Sequence, residues 1–484
     1  MIQFTRHVIA LSIGAAVCSV APMAYAQNKA AQTVQLSAAQ MKEAAAQSLR
    51  NGDTAVALRL ADALLLRDPD DVTALLIQSH SLRKIGKLSD AQKAARAAWQ
   101  NAEQDKDQFS AAMLMAQALS SDGKRTRAQL WLRRAAEVAP TKGHAAKAAR
   151  DFRYVRRQNP WQTQLSFTLA PNSNINNGSS RDSSSLLYEL LNPFGIAGAN
   201  EVSLGAASKA LSGIEAGGAL QTRYRFHQTE STAHDLRFGL SYRTYQLSQS
   251  SKDDLEAEDA ERIARGEDPR NIKGSDFSYG TVQLGYGFKK LRADKRGEFS
   301  LTADVGQSFY GGSRYNHFFQ ARAGQSYHKD AKSKFNYGLS TKIERSENNE
   351  QQNLLSVNVG LSRKLSAGNG LYLGAVLSTK NADLDRLEYD EFSLRSGYVL
   401  GREILGTKLQ FGLNTSYRDY DVSLHDPSGR RDFTVAAEVT ATFKQIDYYG
   451  FNPTVSFSAA TTNSNIGLYD VNRVGLGIGV ASSF

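Results

Sequence analysis

The stretch Trp161-Gln162-Thr163-Gln164-Leu165-Ser166-Phe167-Thr168-Leu169 decides the fold. Successive side chains of an extended strand point to opposite faces. Trp161, Thr163, Leu165, Phe167 and Leu169 therefore share one face, and Gln162, Gln164, Ser166 and Thr168 the other. The pattern recurs toward the C-terminus. Phe299, Leu301, Ala303 and Val305 repeat it, as do Leu355, Val357, Val359 and Leu361. The chain closes with Val474, Leu476, Ile478, Val480, Ser482 and Phe484. About fourteen such segments start near residues 161, 212, 234, 276, 297, 315, 333, 351, 369, 388, 406, 431, 449 and 470. Each is long enough to cross a bilayer as a tilted strand, which takes roughly 9–11 residues.

A water-soluble sandwich alternates too, so further features must separate the two. An even strand count returns the C-terminus to the side on which the first strand begins. Even strands end on Phe226, Phe288, Tyr327, Phe443 and Phe484, and odd strands start on Trp161, Phe299, Phe335 and Phe451. That is an aromatic girdle at one membrane interface. Connections alternate in length: 172–211 and 249–274 are long, whereas Ala367-Gly368 is a tight turn. A terminal aromatic, Phe484, resembles the signal by which the barrel assembly machinery recognises its substrates. The reading is a transmembrane antiparallel β-barrel of about fourteen strands over 158–484.

Upstream the period changes. Residues 38–157 are rich in Ala, Leu, Arg, Lys and Gln at helical spacing. Gly52, Gly86 and Gly123 are each followed five residues later by Ala57, Ala91 and Ala128. Pro69 and Pro140 stand seventeen residues after the first and third glycines. The first two glycines are 34 residues apart, the tetratricopeptide (TPR) period, and an insertion near 101–107 displaces the third unit. Glycine is expected to let the turn between paired helices pass closely, alanine to let the helices approach, and proline to end the second helix. The fold class is thus α plus membrane β: a TPR-like domain over 27–157, then the barrel. Trp99 and Trp131 are expected in the helical core. Arg150, Arg153, Arg156 and Arg157 mark either a solvated face or a contact with lipid phosphates.

The first residues address the chain. Arg6 and His7 precede an apolar run from Val8 to Ala21, and Ala24-Tyr25-Ala26 follows as a small-x-small cleavage site. This is a signal peptide, 1–26, with a run too short to span a bilayer. Val17 before Cys18 lacks the small residue that lipoprotein processing wants. Cys18 is the only cysteine, so the mature chain has no disulfide, thiolate metal site or cysteine nucleophile. The net charge of +10 points to no nucleic acid, because a secreted chain does not meet it and no zinc-finger, RRM-like or basic-zipper pattern occurs.

A barrel of this size leaves a lumen. Arg223, Arg225, Arg237, Arg243, Arg322, Arg395 and Lys408 fall on its inward phase, against Asp304, Glu391 and Glu438. Mixed charge there ordinarily makes a hydrated wall held by salt bridges. Because strands two and three are neighbours, Arg223, Arg225, Arg237 and Arg243 are expected to form one basic patch. Two loops stand out. Leu186, Leu187, Tyr188, Leu190, Leu191 and Phe194 make an apolar run that should bury itself in the lumen, against lipid or against a client. Asp253–Asp268 reads as a charged, solvated helix with Leu255 and Ile263 on one side. The histidines show no metal spacing and no catalytic triad, so neither an enzyme, a cofactor nor a metal is expected.

Signal peptide, short TPR array and barrel of about fourteen strands, in that order, resemble the surface lipoprotein assembly modulators (Slam, the type XI secretion outer-membrane translocons). The junction Asn159-Pro160-Trp161 and then Ala170-Pro171-Asn172-Ser173-Asn174-Ile175-Asn176-Asn177 looks like that family's passage into its first strand and loop. The resemblance implies export or surface display of client proteins: surface lipoproteins or small secreted proteins, several of them concerned with haem or metal acquisition. The helical domain, expected in the periplasm, would hold the client there, unfolded or bound to a periplasmic chaperone, with outer-membrane lipid as a further partner. A passive porin with a structural TPR domain and an exopolysaccharide-export barrel are the alternatives. Few aromatic side chains fall on the inward phase, as a saccharide path would want.

Overall fold

A computed structural model describes residues 36–185, 201–348 and 350–482. The apolar run 186–194, Phe484 and the signal peptide 1–26 lie outside them.

Among the described residues seven helices come first: α1 (Ala38–Arg50), α2 (Thr54–Arg67), α3 (Val72–Lys84), α4 (Leu88–Asn101), α5 (Asp105–Ser121), α6 (Arg125–Glu137) and α7 (Lys142–Gln158). They pair as α1–α2, α3–α4 and α5–α6, with α7 closing the stack. Ala57, Ala91 and Ala128 are fully buried, where only a methyl group fits between helices. Gly52, Gly86 and Gly123 sit in the pair turns at φ 87, 83 and 74°. Nothing lies within 4 Å of where their Cβ atoms would be. The glycines are therefore required by left-handed backbone, not by the close passage expected from the sequence. The longer third unit comes from α5, which has 17 residues against 13 in α3. Trp131 is buried and meets Trp99 edge-on, centroids 5.4 Å apart, in the largest helical core cluster. Arg150, Arg153, Arg156 and Arg157 lie on the exposed face of α7.

Fourteen strands then close a barrel: β1 (Trp161–Asn172), β2 (Gly213–Gln228), β3 (Thr232–Leu247), β4 (Tyr279–Leu291), β5 (Glu298–Tyr310), β6 (Ser313–His328), β7 (Ser333–Ser346), β8 (Gln351–Lys364), β9 (Gly370–Ala382), β10 (Tyr389–Val399), β11 (Thr407–Tyr420), β12 (Arg430–Phe443), β13 (Phe451–Ser464) and β14 (Val471–Ser482). Neighbours pair antiparallel and β14 returns to β1. The observed starts fall within three residues of those read from alternation. Leu165, Phe167, Val357, Val359, Ile478 and Val480 are all exposed on the outer surface, as a lipid-facing band requires. No described helix is long and apolar enough to cross a membrane.

Rings crowd the end nearer the helical domain. Trp161 meets Tyr224 at 4.6 Å, Phe288 meets His234 at 5.2 Å and Phe299 at 6.5 Å. At the opposite end α8 (Gln249–Ala264) covers the first loop. Leu255 joins Ile175, Leu211 and Leu247 in a buried cluster, while Ile263 stays exposed. Glu258 accepts from the Ala207 amide at 2.8 Å and pairs with Arg270 at 3.1 Å. The helix expected to be a solvated cap is thus anchored on one side.

Candidate functional site

The lumen wall on β2, β3 and β5 carries the arginines read from the sequence. Arg223 and Arg225 project from β2 toward Asp235 on β3. The Asp235 carboxylate accepts from Arg223 Nη1 at 3.1 Å and from Arg225 Nε at 2.8 Å and Nη2 at 3.2 Å. Arg237 reaches across β4 to Asp304 on β5, Nε to Oδ1 3.1 Å. Arg322 on β6 approaches the same carboxylate to 4.0 Å. Arg243 pairs with Glu215 at 3.1 Å. What was read as one patch is three carboxylate-centred groups along the wall.

Burial orders them. Asp235 and Asp304 are 3 % and 1 % exposed, whereas the Arg237, Arg322 and Arg243 side chains are 36, 49 and 57 % exposed. The carboxylates lie against the wall and the guanidiniums lean into the lumen. Five arginines face three acids, which leaves a local excess of two positive charges. Pairing lowers the cost of holding these charges beside a low-dielectric wall. The more exposed cations keep donor capacity toward the lumen.

The sequence reading missed Asp235 and Glu215, although both share the inward phase of the arginines on their own strands. It also missed Gly285. Gly285 pairs with both Arg237 and Asp304, and a Cβ there would stand 2.1 Å from Asp304 Oδ1. A second lumen cluster, nearer the loop end, was missed as well. Arg418 donates to Glu391 at 2.7 Å and lies 4.4 Å above the Tyr389 ring. Tyr389 meets Tyr420 at 5.2 Å, and Arg430 stands over Tyr420 at 4.6 Å while pairing with Asp432. Glu391 was singled out alone; the inward phase of β11 would have supplied Arg418 and Tyr420. Arg395 bonds to Asn414 at 3.3 Å, apart from both clusters.

The helical domain meets the barrel at its rim. The Arg133 guanidinium on α6 lies between the rings of Phe152 (4.8 Å) and Phe451 (4.1 Å). Its Nη1 donates to the carbonyls of Tyr449 at 2.8 Å and Gly450 at 3.1 Å, in the turn between β12 and β13. Glu137, one helical turn on, accepts from the Tyr449 amide at 2.8 Å. Asn159, buried in the linker, donates to Thr126 at 3.0 Å, and the Pro160 carbonyl accepts from the Arg225 amide at 2.9 Å. Linker and turn together hold the stack against the barrel rim.

A family model for the surface lipoprotein assembly modifier matches residues 161–484, from the first residue of β1 onward. The chain belongs to the surface lipoprotein assembly modifier family. Its barrel is accordingly an outer-membrane barrel with a role in lipoprotein assembly. The helical part is similar to the type III secretion translocator chaperone SycD of Yersinia enterocolitica, at 16 % identity, TM-score 0.23, over 26 % of this chain and 88 % of that one. The barrel is similar to an outer membrane channel from Pseudomonas putida F1, at 10 % identity, TM-score 0.30, over 66 % and 95 %. It is also similar to OmpT of Vibrio cholerae, at 9 % identity, TM-score 0.32, over 66 % and 97 %. No curated relative matches the chain. Among the described residues no group of three or more His, Cys, Asp or Glu is placed to hold a metal ion.

Proposed function

We propose that this family member is a translocon that exports or displays client proteins, either surface lipoproteins or small secreted proteins that include haem- or metal-acquisition proteins. In this reading residues 27–157 lie in the periplasm and recruit the client, alone or from a periplasmic chaperone, and 158–484 form the conduit. The observation that carries it is the docked stack: Arg133 and Glu137 seat a helical-repeat domain on the barrel rim. Such stacks present an extended concave binding surface, and a passive porin needs no receptor at its mouth. Arg223, Arg225, Arg237, Arg243 and Arg322 would line the client path and favour acidic stretches of a passing chain. The run Leu186 to Phe194 would touch the client or plug the lumen, and Phe484 would serve the assembly machinery.

The test removes residues 27–157 behind the native signal peptide and follows a co-produced surface lipoprotein by protease shaving of intact cells. The expected result is an assembled, heat-modifiable barrel, loss of display and little change in small-solute uptake. Normal display by the truncated barrel would remove the receptor role and move the porin reading ahead.

A further inference from the structure

The barrel is zipped unevenly. β1 pairs with β2 at every residue from Trp161 to Asn172. Against β14 only two β1 pairs are formed among the described residues, Leu169 with Ile478 and Asn172 with Gly475, both at the loop end. Continuing that register would set Ser166 opposite Ala481 and Thr168 opposite Gly479, yet no pairing joins 165–168 to 479–482. The strands still run side by side, since a Cβ at Gly479 would lie 3.9 Å from the Phe167 carbonyl.

Beyond the zipped end the seam is fastened heavily. The Ser173 amide donates to the Val474 carbonyl at 3.0 Å. Asn174 donates to the Asn472 carbonyl at 3.3 Å, and Arg181 pairs with Asp470 at 2.6 Å. On the unzipped half Phe167 and Val480 are 71 % and 67 % exposed, the most exposed apolar side chains of the described barrel strands.

The helical domain brackets this half. It runs into β1 through Asn159-Pro160 and holds the turn before β13 through Arg133 and Glu137. β14 lies between those two attachments. This loosely paired half of the seam, with β14 still alongside β1, therefore continues the helical-domain interface.

We propose that residues 165–168 of β1, on the helical-domain side of the β1–β14 seam, are a docking edge for an extended polypeptide segment, taken up by strand addition to β1. Where β14 draws away, the β1 edge at membrane depth would display amide donors and carbonyl acceptors that lipid tails cannot satisfy. A polypeptide satisfies both at once, and strand addition is how sheet edges take extended peptides. The fastened loop end keeps the barrel closed while the other half exchanges partners.

Cys18 is the only native cysteine, so the test uses Ser166→Cys in the full chain in nanodiscs, with Ser356→Cys as control. Ser356 faces Ser378 at 2.9 Å in the fully zipped β8–β9 pair. The probe is a peptide copying residues 471–482 with cysteine at the position of Ala481. The expected result is a disulfide with Ser166→Cys at least ten-fold above the control. Methylating alternate amides of the peptide should reduce it at least ten-fold. Equal capture of the methylated peptide would mean apolar insertion and overturn strand addition. Equal capture at Ser356→Cys, or Ser166→Cys chains linking only to one another, would overturn the docking edge. No client is present, so the outcome is independent of the translocon reading.

Discussion

Gly285 stands between two charges that must meet. Arg237 and Asp304 lie on strands either side of β4, and their side chains close the gap only because no Cβ intervenes. Gly285→Ala would put a methyl group 2.1 Å from Asp304 Oδ1 and 2.6 Å from the Ala303 carbonyl. Overpacking of this kind costs about 1–3 kcal/mol. The expected outcome is a heat-modifiability midpoint several degrees lower. Gly412→Ala, whose nearest neighbours are 4.0 Å away, should be close to neutral. Equal midpoints for the two variants would mean that the wall yields freely. The arginines were legible because alternation assigns each residue a face. Their partners were legible by the same rule: Asp235 shares parity with Arg237, and Glu215 with Arg223. Which carboxylate each arginine chooses was not, since that depends on strand stagger and on the gap at Gly285.

Helices and strands betrayed themselves by different signals. Period and turn glycines set the helix pairs; alternation and connection length set the strands. The anchoring of α8 was not legible, because Leu255 is buried by residues of the first loop and the end of β3, and half of its own helix is charged. Within the helical stack α3 carries a titratable group of its own. Burial first, then the charges of Arg83 and Lys84, lower the His80 pKa from its ordinary 6.5. On acidification the unfolded chain therefore takes the proton before the folded one does. Neutral His80 favours folding above pH 6.5, and that contribution is lost as pH falls through the folded value. Amide protection in α3, corrected for intrinsic exchange and measured on the full chain, should fall as the pH is taken down through and below the ordinary value of 6.5. His80→Gln should flatten the slope. An unchanged slope would assign the dependence to other groups.

At the scale of the molecule the question is what makes two domains one machine. Nothing in the sequence marks Arg133, because its partners Tyr449 and Gly450 lie more than 300 residues away and no period connects them. The contact is nonetheless specific. Its guanidinium is planar, stacks between Phe152 and Phe451 and donates to two adjacent carbonyls, which a lysine ammonium cannot reproduce. Glu137 adds a charge-assisted bond to the amide of the same turn. The short linker is a second tie, and the geometry of the stack at the barrel rim should depend strongly on this turn. Arg133→Ala with Glu137→Ala should therefore free the stack without harming the barrel. Cysteines in place of Leu66 on α2 and Leu405 in the turn before β11 are suited to spin labels, since both are about nine-tenths exposed. Pulsed dipolar spectroscopy should give a narrow distance distribution in the native background and a broad one in the double variant, at an unchanged barrel midpoint. Arg133→Lys should fall between them. If the distribution stays narrow, the linker alone orients the stack. Were it to broaden while client display persisted, orientation at the barrel rim would not be what the stack contributes, and tethering alone would suffice.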